Sequence, residues 1–281
     1  MCLIALDWRP GQPRWLSLVG NRDEFFHRPT QALHQWLPSE YQGLNEDAEI
    51  IGGRDEEQGG TWLAVNRQLR FASVTNVRTG KAYPDKASRG HLVTRVLDPR
   101  MSLVSALQQL LREADSYSPF NLIAGNPQQL WFLSNHPEPR LELLKPGIHV
   151  ICNGAPEQEW PKMALARQQL SDWLVDPTRA LHELLNSTDI VADDLLPETG
   201  VSQELERLLS AQKITSDAFP RPYGSRSSSS LTGYENGMEL IEQNWLYGGA
   251  EGELRHIRVH NSGQIVTNGP IIGKKLELSE R

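Results

Sequence analysis

The chain has 281 residues, of which 38% are hydrophobic and 22% charged, with a formal net charge of -7 at pH 7. This is the composition of a globular protein large enough to bury a sizeable core, and the acidic balance argues against nucleic-acid or membrane-surface partners. Two Cys cannot form a disulfide framework, no apolar stretch is long enough to span a bilayer, and no signal peptide is visible, so we expect a cytoplasmic protein.

The first third of the chain is predicted to be mainly β-structure. Apolar runs bounded by turn residues predict strands at Cys2–Trp8, Trp15–Val19, Thr61–Asn66 and Leu69–Thr75. Between these strands, Asn21–Pro29 is predicted to be a polar loop. A second loop is predicted to run through Gly52-Gly53 and Gly59-Gly60.

The remainder alternates between helical and strand patterns. Apolar residues at helical spacing predict helices at Leu92–Val96, Met101–Ala114, Lys162–Val175, Thr178–Leu185 and Ser202–Leu209. Strands are predicted at Asn121–Ala124, Leu130–Leu133, Leu141–Leu144, His149–Ile151, Ser229–Tyr234, Met238–Trp245, His256–Val259 and Gln264–Thr267. This order favours an α+β fold in which two antiparallel sheets lie between helices, a four-layer αββα sandwich. We expect residues 1–281 to form a single domain.

Cys2 is the first candidate for chemistry because it directly follows the initiator Met1. Removal of Met1 would leave a thiol and a free α-amine on one residue, and that amine can act as the base for its own side chain. The alternative is that Cys2 is a small buried residue at the start of a strand.

Polar residues at predicted strand ends could complete such a site. They are Asn21-Arg22-Asp23-Glu24, Thr75-Asn76, Cys152-Asn153 and Gly224-Ser225-Arg226. An N-terminal nucleophile needs a carboxylate for its amine and neutral or cationic donors for the oxyanion, converging from different strands. Each stretch alone has a simpler interpretation as a turn or a solvated surface. Trp62, in Gly59-Gly60-Thr61-Trp62, either fills the core or lines a substrate channel.

Taken together, several stretches carry a family resemblance. They are Met1-Cys2, Asn21-Arg22-Asp23-Glu24, Gly59-Gly60-Thr61-Trp62-Leu63, Thr75-Asn76, Ser88-Arg89-Gly90, Phe120-Asn121-Leu122-Ile123-Ala124, Asn153 with Trp160-Pro161, and Tyr223-Gly224-Ser225-Arg226. With this ordered set, which runs to about residue 245, the chain resembles the NRDE family, also called transport and Golgi organization 2 proteins. Residues 246–281 contain no recognised motif. That family in turn resembles N-terminal-nucleophile (Ntn) hydrolases of the choloylglycine hydrolase and penicillin V acylase group.

The resemblance implies the same αββα fold and a set of roles. Cys2 would be the nucleophile, Asp23 would bind its α-amine, and Asn76 would donate to the oxyanion. Asn153 would hold the amine or the substrate, and Arg226 would tune the site electrostatically.

Asn21, Arg22 and Trp62 are further candidates for substrate binding. The hydrolase group places an Arg three residues before the Asp, where this chain has Gly20. Its Arg22 instead adjoins Asp23, and neighbouring residues on a strand face opposite ways. The roles of Arg22 and Glu24 therefore stay open at this stage.

Two functions are compatible with these residues. The first is a cysteine amidohydrolase acting on a linear amide or acyl compound. The second is a non-catalytic carrier of haem, acyl-CoA or lipid on the same fold. We expect no metal site, because Cys-x-x-Cys is absent and His256 and His260 are too far apart on a predicted strand. No cofactor is expected for the hydrolase, whereas haem is a possible ligand of the carrier.

Overall fold

The structure is a computed structural model that describes residues 3–44, 48–215 and 221–271. Within these residues the chain forms two antiparallel sheets of seven strands each. The first sheet contains, in spatial order, β10 (Gly147–Ile151), β1 (Leu3–Trp8), β2 (Arg14–Phe25), β11 (Tyr223–Tyr234), β12 (Gly237–Trp245), β13 (Glu251–His260) and β14 (Ile265–Ile271). The second contains β3 (Thr30–Trp36), β4 (Ile50–Asp55), β5 (Leu63–Asn66), β6 (Phe71–Asn76), β7 (Phe120–Gly125), β8 (Leu130–Ser134) and β9 (Arg140–Leu143).

The part of the chain that is described contains four α-helices. They are α1 (Gly90–Leu97), α2 (Leu103–Arg112), α3 (Pro161–Val175) and α4 (Gln203–Leu208). The predicted helix starts have clear local causes. The hydroxyls of Ser102 and Ser202 accept hydrogen bonds from the first turns of α2 and α4, and Pro161 opens α3.

Three separate hydrophobic clusters define the layers. The central cluster joins the facing sides of the two sheets, for example Leu6 and Trp15 with Phe71. A second cluster packs α1 and α2 on the outer face of the second sheet, and a third packs α3 on the outer face of the first. The predicted α+β four-layer sandwich is therefore confirmed.

The sequence-based prediction was wrong for the segments read as loops near the N-terminus. Within the predicted loop Asn21–Pro29, the residues up to Phe25 form strand, because β2 continues through them and pairs with β11. Strands β3 and β4 were also missed. The Gly52-Gly53 pair, typical of a turn, lies inside β4, where a Cβ on Gly53 would lie 2.3 Å from the Trp62 ring. These glycines allow a close approach between neighbouring strands.

The helix predicted at Thr178–Leu185 was also wrong. Only Leu181–Glu183 forms a short 3₁₀ helix, because Ala180 is extended and Leu181, Leu184 and Leu185 bury their side chains against the first sheet. None of the helices in the described ranges is long and apolar enough to cross a membrane.

Candidate functional site

The candidate residues come from strands that end near one another. β1 begins at Leu3, whose backbone pairs with Asn21 of β2, and Arg22 and Asp23 follow immediately on that strand. Asn76 ends β6, and Asn153 lies just beyond β10. Cys2, the predicted nucleophile, lies outside the described residues and precedes Leu3 directly in the chain.

Asp23 is buried and held by the neighbouring strand. Its Oδ1 accepts a hydrogen bond of 2.5 Å from the Ser225 hydroxyl. The same hydroxyl oxygen accepts from the Ile214 backbone N–H at 2.9 Å. Ser225 therefore fixes the Asp23 carboxylate and anchors the segment around Ile214.

The two asparagines lie against each other. Asn153 Nδ2 donates to the Asn76 carbonyl at 2.8 Å, and the Asn153 carbonyl accepts from the Arg78 N–H at 2.7 Å. Asn153 is buried, whereas the side chain of Asn76 is exposed. The Asn76 amide is thus available to a ligand, and Asn153 positions the end of β6.

Two cavities meet at these residues, and Asp23, Asn76 and Arg89 line both. The first has a volume of about 330 Å³ and is called here the charged cavity, since four basic and four acidic side chains line it. The second, the apolar cavity, has a volume of about 550 Å³. Its apolar lining residues are Phe25, Val77, Val201, Leu209, Ile214 and Tyr223, and Asn153 lies on its wall.

Arg22 and Trp62 lie together on the wall of the charged cavity. The Arg22 guanidinium stacks over the Trp62 ring at 4.3 Å from its centroid. Burial lowers the pKa of Arg22 from its ordinary value. Trp62 also belongs to the central hydrophobic cluster, so it both fills the core and lines the cavity.

Asn21 and Arg226 make contacts outside the walls of these two cavities. Asn21 Nδ2 donates to the carbonyls of Leu185 and Gln212 at 2.6 and 2.8 Å, which commits it to the outer layer of the first sheet. Arg226 Nη1 donates to the carbonyls of Phe25 and Arg28 at 3.2 and 2.7 Å. Burial and the nearby Arg22 charge lower the pKa of Arg226. Through these hydrogen bonds Arg226 stabilises the turn between β2 and β3.

Three further residues were not assigned a role from the sequence. Arg89 lines both cavities, and Ser225 donates a hydrogen bond to Asp23. Both residues lie in stretches that carried the family resemblance, which was the available signal. Glu242 is fully buried and accepts from the Leu33 N–H at 2.7 Å and from the Ser229 hydroxyl at 3.3 Å. The alternation of side chains along β12 could have indicated its burial, because Glu242 lies on the same face as the buried apolar residues Met238 and Leu240.

Arg28 joins the acidic side chains at the outer rim of the charged cavity through ion pairs. Arg28 contacts Asp55 at 2.8 Å, Glu57 at 3.1 Å and Glu24 at 3.9 Å. Glu24 thus has the structural role of an ion-pair partner. Within the described ranges, no group of three or more His, Cys, Asp or Glu side chains could hold a metal ion.

Comparisons with known proteins identify the family to which this chain belongs. The profile of the Transport and Golgi organisation 2 family matches residues 1–246. Curated relatives include the Transport and Golgi organization 2 homolog of Mus musculus, 31% identical over 180 residues, and that of Homo sapiens, 32% identical over 180 residues. Each alignment covers 60% of this chain and 62% of the relative, so the chain spans less than two thirds of these relatives' length.

Among solved structures, the Caenorhabditis elegans N-acylethanolamine-hydrolyzing acid amidase (NAAA) ortholog matches 75% of this chain and 98% of its own, with a TM-score of 0.47 and 14% identity. The family profile, in contrast, extends over 246 of the 281 residues. The chain belongs to the Transport and Golgi organisation 2 family.

Proposed function

We propose that this protein is a hydrolase that uses Cys2 as an N-terminal nucleophile on a linear amide or acyl compound. The observation that carries the proposal is that Asp23, Asn76 and Asn153 meet at one pair of cavities, beside the strand that starts at Leu3. One peptide unit separates Cys2 from Leu3, about 3.8 Å between Cα atoms.

The chemistry follows from these groups. The Cys2 thiolate attacks the carbonyl carbon, and the Asn76 amide donates to the resulting oxyanion. Collapse of the tetrahedral intermediate breaks the C–N bond, and the α-ammonium of Cys2 gives the leaving nitrogen its proton. Water then attacks the thioester carbonyl, releasing a carboxylic acid and restoring the thiol. Asp23 would hold the α-amine in place through its charge.

The two cavities divide the substrate between them. The apolar cavity supports binding of the acyl part, because Phe25, Leu209 and Ile214 offer it apolar surface. The charged cavity supports binding of the polar part. The scissile bond then lies where both cavities meet, next to Asp23 and Asn76.

The proposal is tested by intact mass and by turnover of a series of N-acyl amides. We expect a mass without Met1, and turnover that Cys2→Ala and Cys2→Ser abolish. Cys152→Ala is the matched control, since Cys152 is a buried thiol in the third hydrophobic cluster. Turnover that survives Cys2→Ala, or an active protein that retains Met1, would contradict the proposal.

A carrier of acyl ligands is the second candidate, and the joined apolar and charged cavities favour it. An amphipathic ligand fits such a pair of cavities without any reaction. The apolar side chains of the apolar cavity offer surface to an acyl chain, which favours an acyl ligand. Binding of acyl compounds by wild type and Cys2→Ala alike, without turnover by either, would favour the carrier.

A further inference from the structure

The wall of the charged cavity carries two hydrogen-bond donors without acceptors. Arg22 is only 4% exposed and Trp62 only 5%, and both line the cavity. Among the described residues, neither Arg22 Nη1 nor Trp62 Nε1 has a hydrogen-bond partner. Buried donors without acceptors are costly, and a buried guanidinium is costlier than a neutral group. This wall therefore favours a ligand group that brings acceptor atoms and negative charge.

The start of α1 lies on the same cavity. Ser88, Arg89 and Gly90 are lining residues, and no side-chain hydrogen bond caps this end of the eight-residue helix within the described part of the chain. Gly60 packs directly on it, since a Cβ on Gly60 would lie 2.5 Å from the Gly90 carbonyl carbon. The first turn of a helix carries partial positive charge, which favours anions.

The remaining charges around the cavity do not satisfy Arg22. Asp55 and Glu57 contact Arg28 at 2.8 and 3.1 Å. Glu242 influences Arg22 through its charge, yet its two oxygens accept from the Leu33 N–H and the Ser229 hydroxyl. Glu24 and Asp55 also act on Arg22 through their charges, yet no side chain in the described ranges forms an ion pair with Arg22, and its Nη1 donor has no acceptor.

We infer that the charged cavity contains an anion subsite, formed by Arg22, Trp62 and the start of α1, which binds a carboxylate or phosphate group of the ligand. The inference rests on the proposed function and deepens it, because it specifies that the polar part of the substrate is negatively charged. Arg22 provides charge and directional donors, and Trp62 holds its guanidinium in place by stacking.

The test is a binding measurement on the full chain carrying Cys2→Ala, so that no turnover interferes. The probes are N-octanoylglycine, its uncharged isostere N-octanoylglycinamide, and octyl phosphate, each titrated by calorimetry in 100 mM NaCl. We expect at least tenfold tighter binding of one or both anions than of the glycinamide. Tighter binding of octyl phosphate alone assigns a phosphate site, and of N-octanoylglycine alone a carboxylate site. Equal affinities for all three probes would overturn the inference.

The anion preference is then assigned to Arg22 by substitution. Arg22→Met in the same background is expected to remove the preference, whereas Arg207→Met, at an exposed Arg207–Asp193 pair, keeps it. Where Arg22→Met does not fold, Arg22→Lys decides, since losing the planar guanidinium should reduce the preference at least threefold. An unchanged preference in the folded Arg22 variant overturns the subsite. Because Cys2 is absent from every protein titrated, these results do not depend on hydrolysis, and a failed hydrolase test leaves them valid.

Discussion

At the scale of single residues, the alternation of β2 explains how neighbouring charges reach different partners. Asn21 bonds to the outer layer and Asp23 to Ser225, which is tied to Ile214 of the same layer. Arg22, between them, stacks on Trp62 between the two sheets. Because this occurs where β2 approaches its end, Arg22 and Asp23 both line the charged cavity although they point to opposite faces.

Glu242, buried behind Arg22, gives a pH-dependent prediction. Burial raises the pKa of its carboxyl above the ordinary value of 4.5. At pH values between 4.5 and the raised pKa, the folded protein keeps a proton on Glu242 that the unfolded chain releases. This carboxyl therefore lowers the free energy of unfolding as the pH rises through that range. Glu242→Gln removes the effect while keeping an acceptor for the Leu33 N–H. We expect the variant's free energy of unfolding, relative to wild type, to increase between pH 5 and pH 8.

Urea unfolding at several pH values measures this difference, in which the titration of all other groups largely cancels. Glu239, on the same strand, is the matched control. Its burial is outweighed by hydrogen bonds from His256 and Arg258, which lower the pKa of its carboxyl. Glu239→Gln should therefore lose stability relative to wild type as pH rises through the range below 4.5. A pH-independent difference for Glu242→Gln would show that its carboxyl titrates normally.

The positions of site residues were predictable from the sequence where a strand end fixed them. Asn76 and Asn153 were expected at strand ends, and both lie on the cavities. The contacts of Asn21 could not be predicted, because its partners Leu185 and Gln212 are more than 160 residues away in the chain. A buried amide and a ligand-binding amide look the same in a sequence.

At the scale of elements, a bulge in β11 determines where Arg226 lies. Asp23 pairs with Ser225 and Arg22 with Ser227, so Arg226 is the extra residue between them. An extra residue bends its strand and turns its side chain away from the regular register. Here the guanidinium reaches the carbonyls of Phe25 and Arg28 and holds the turn that leads into β3. The bulge thus links the first sheet to the second beside the site.

The outer layer of the first sheet gives the prediction for this scale. Asn21 is the side-chain anchor of two distant points of that layer, at Leu185 and Gln212. Asn21→Ala leaves both carbonyls buried without this donor, at about 1–3 kcal/mol for each. We expect faster amide hydrogen exchange, measured by mass spectrometry, in residues 181–185 and 210–214 but not in α1 or α2.

Asn126→Ala is the matched control for that experiment. Asn126 Oδ1 accepts from the Gln128 and Gln129 N–H groups in the turn between β7 and β8, far from the outer layer. Its loss should affect exchange in that turn alone. Uniform exchange changes in both variants would contradict a local anchoring role for Asn21.

Elements were predictable where local signals decided them. The hairpin at Asn236-Gly237 and the amphipathic helices α1 and α2 were predicted because a turn or a single apolar face specified them. β3 and β4 were not, since their glycines and polar residues become strand only through pairing, as at Trp36 with Ile50. Tertiary contact overrides local preference in these two strands.

At the scale of the whole molecule, the two sheets are joined both in the core and at the site. Trp15 and Phe71 meet across the central cluster with ring centroids 6.4 Å apart. Beside the cavity, Glu242 of the first sheet accepts from Leu33 of the second, and Arg28, just after β2, contacts Asp55 of β4. The site is therefore formed by the junction of the sheets and depends on their relative position.

This arrangement predicts that large-to-small substitutions of similar destabilisation have different effects on hydrogen exchange in the central cluster and in the third cluster. Phe71→Ala removes a fully buried ring shared by both sheets, at about 3–5 kcal/mol, and Leu170→Ala removes an α3 side chain from the third cluster, at about 2–5 kcal/mol. We expect Phe71→Ala to accelerate hydrogen exchange in both sheets and to weaken binding of N-octanoylglycine. Leu170→Ala should accelerate exchange mainly in α3 and the strands beneath it, β1 and β10, and leave β5–β8 protected. Equal loss of protection throughout the second sheet in both variants would show that the four layers unfold as one unit, and the central cluster would then have no special role in holding the site together.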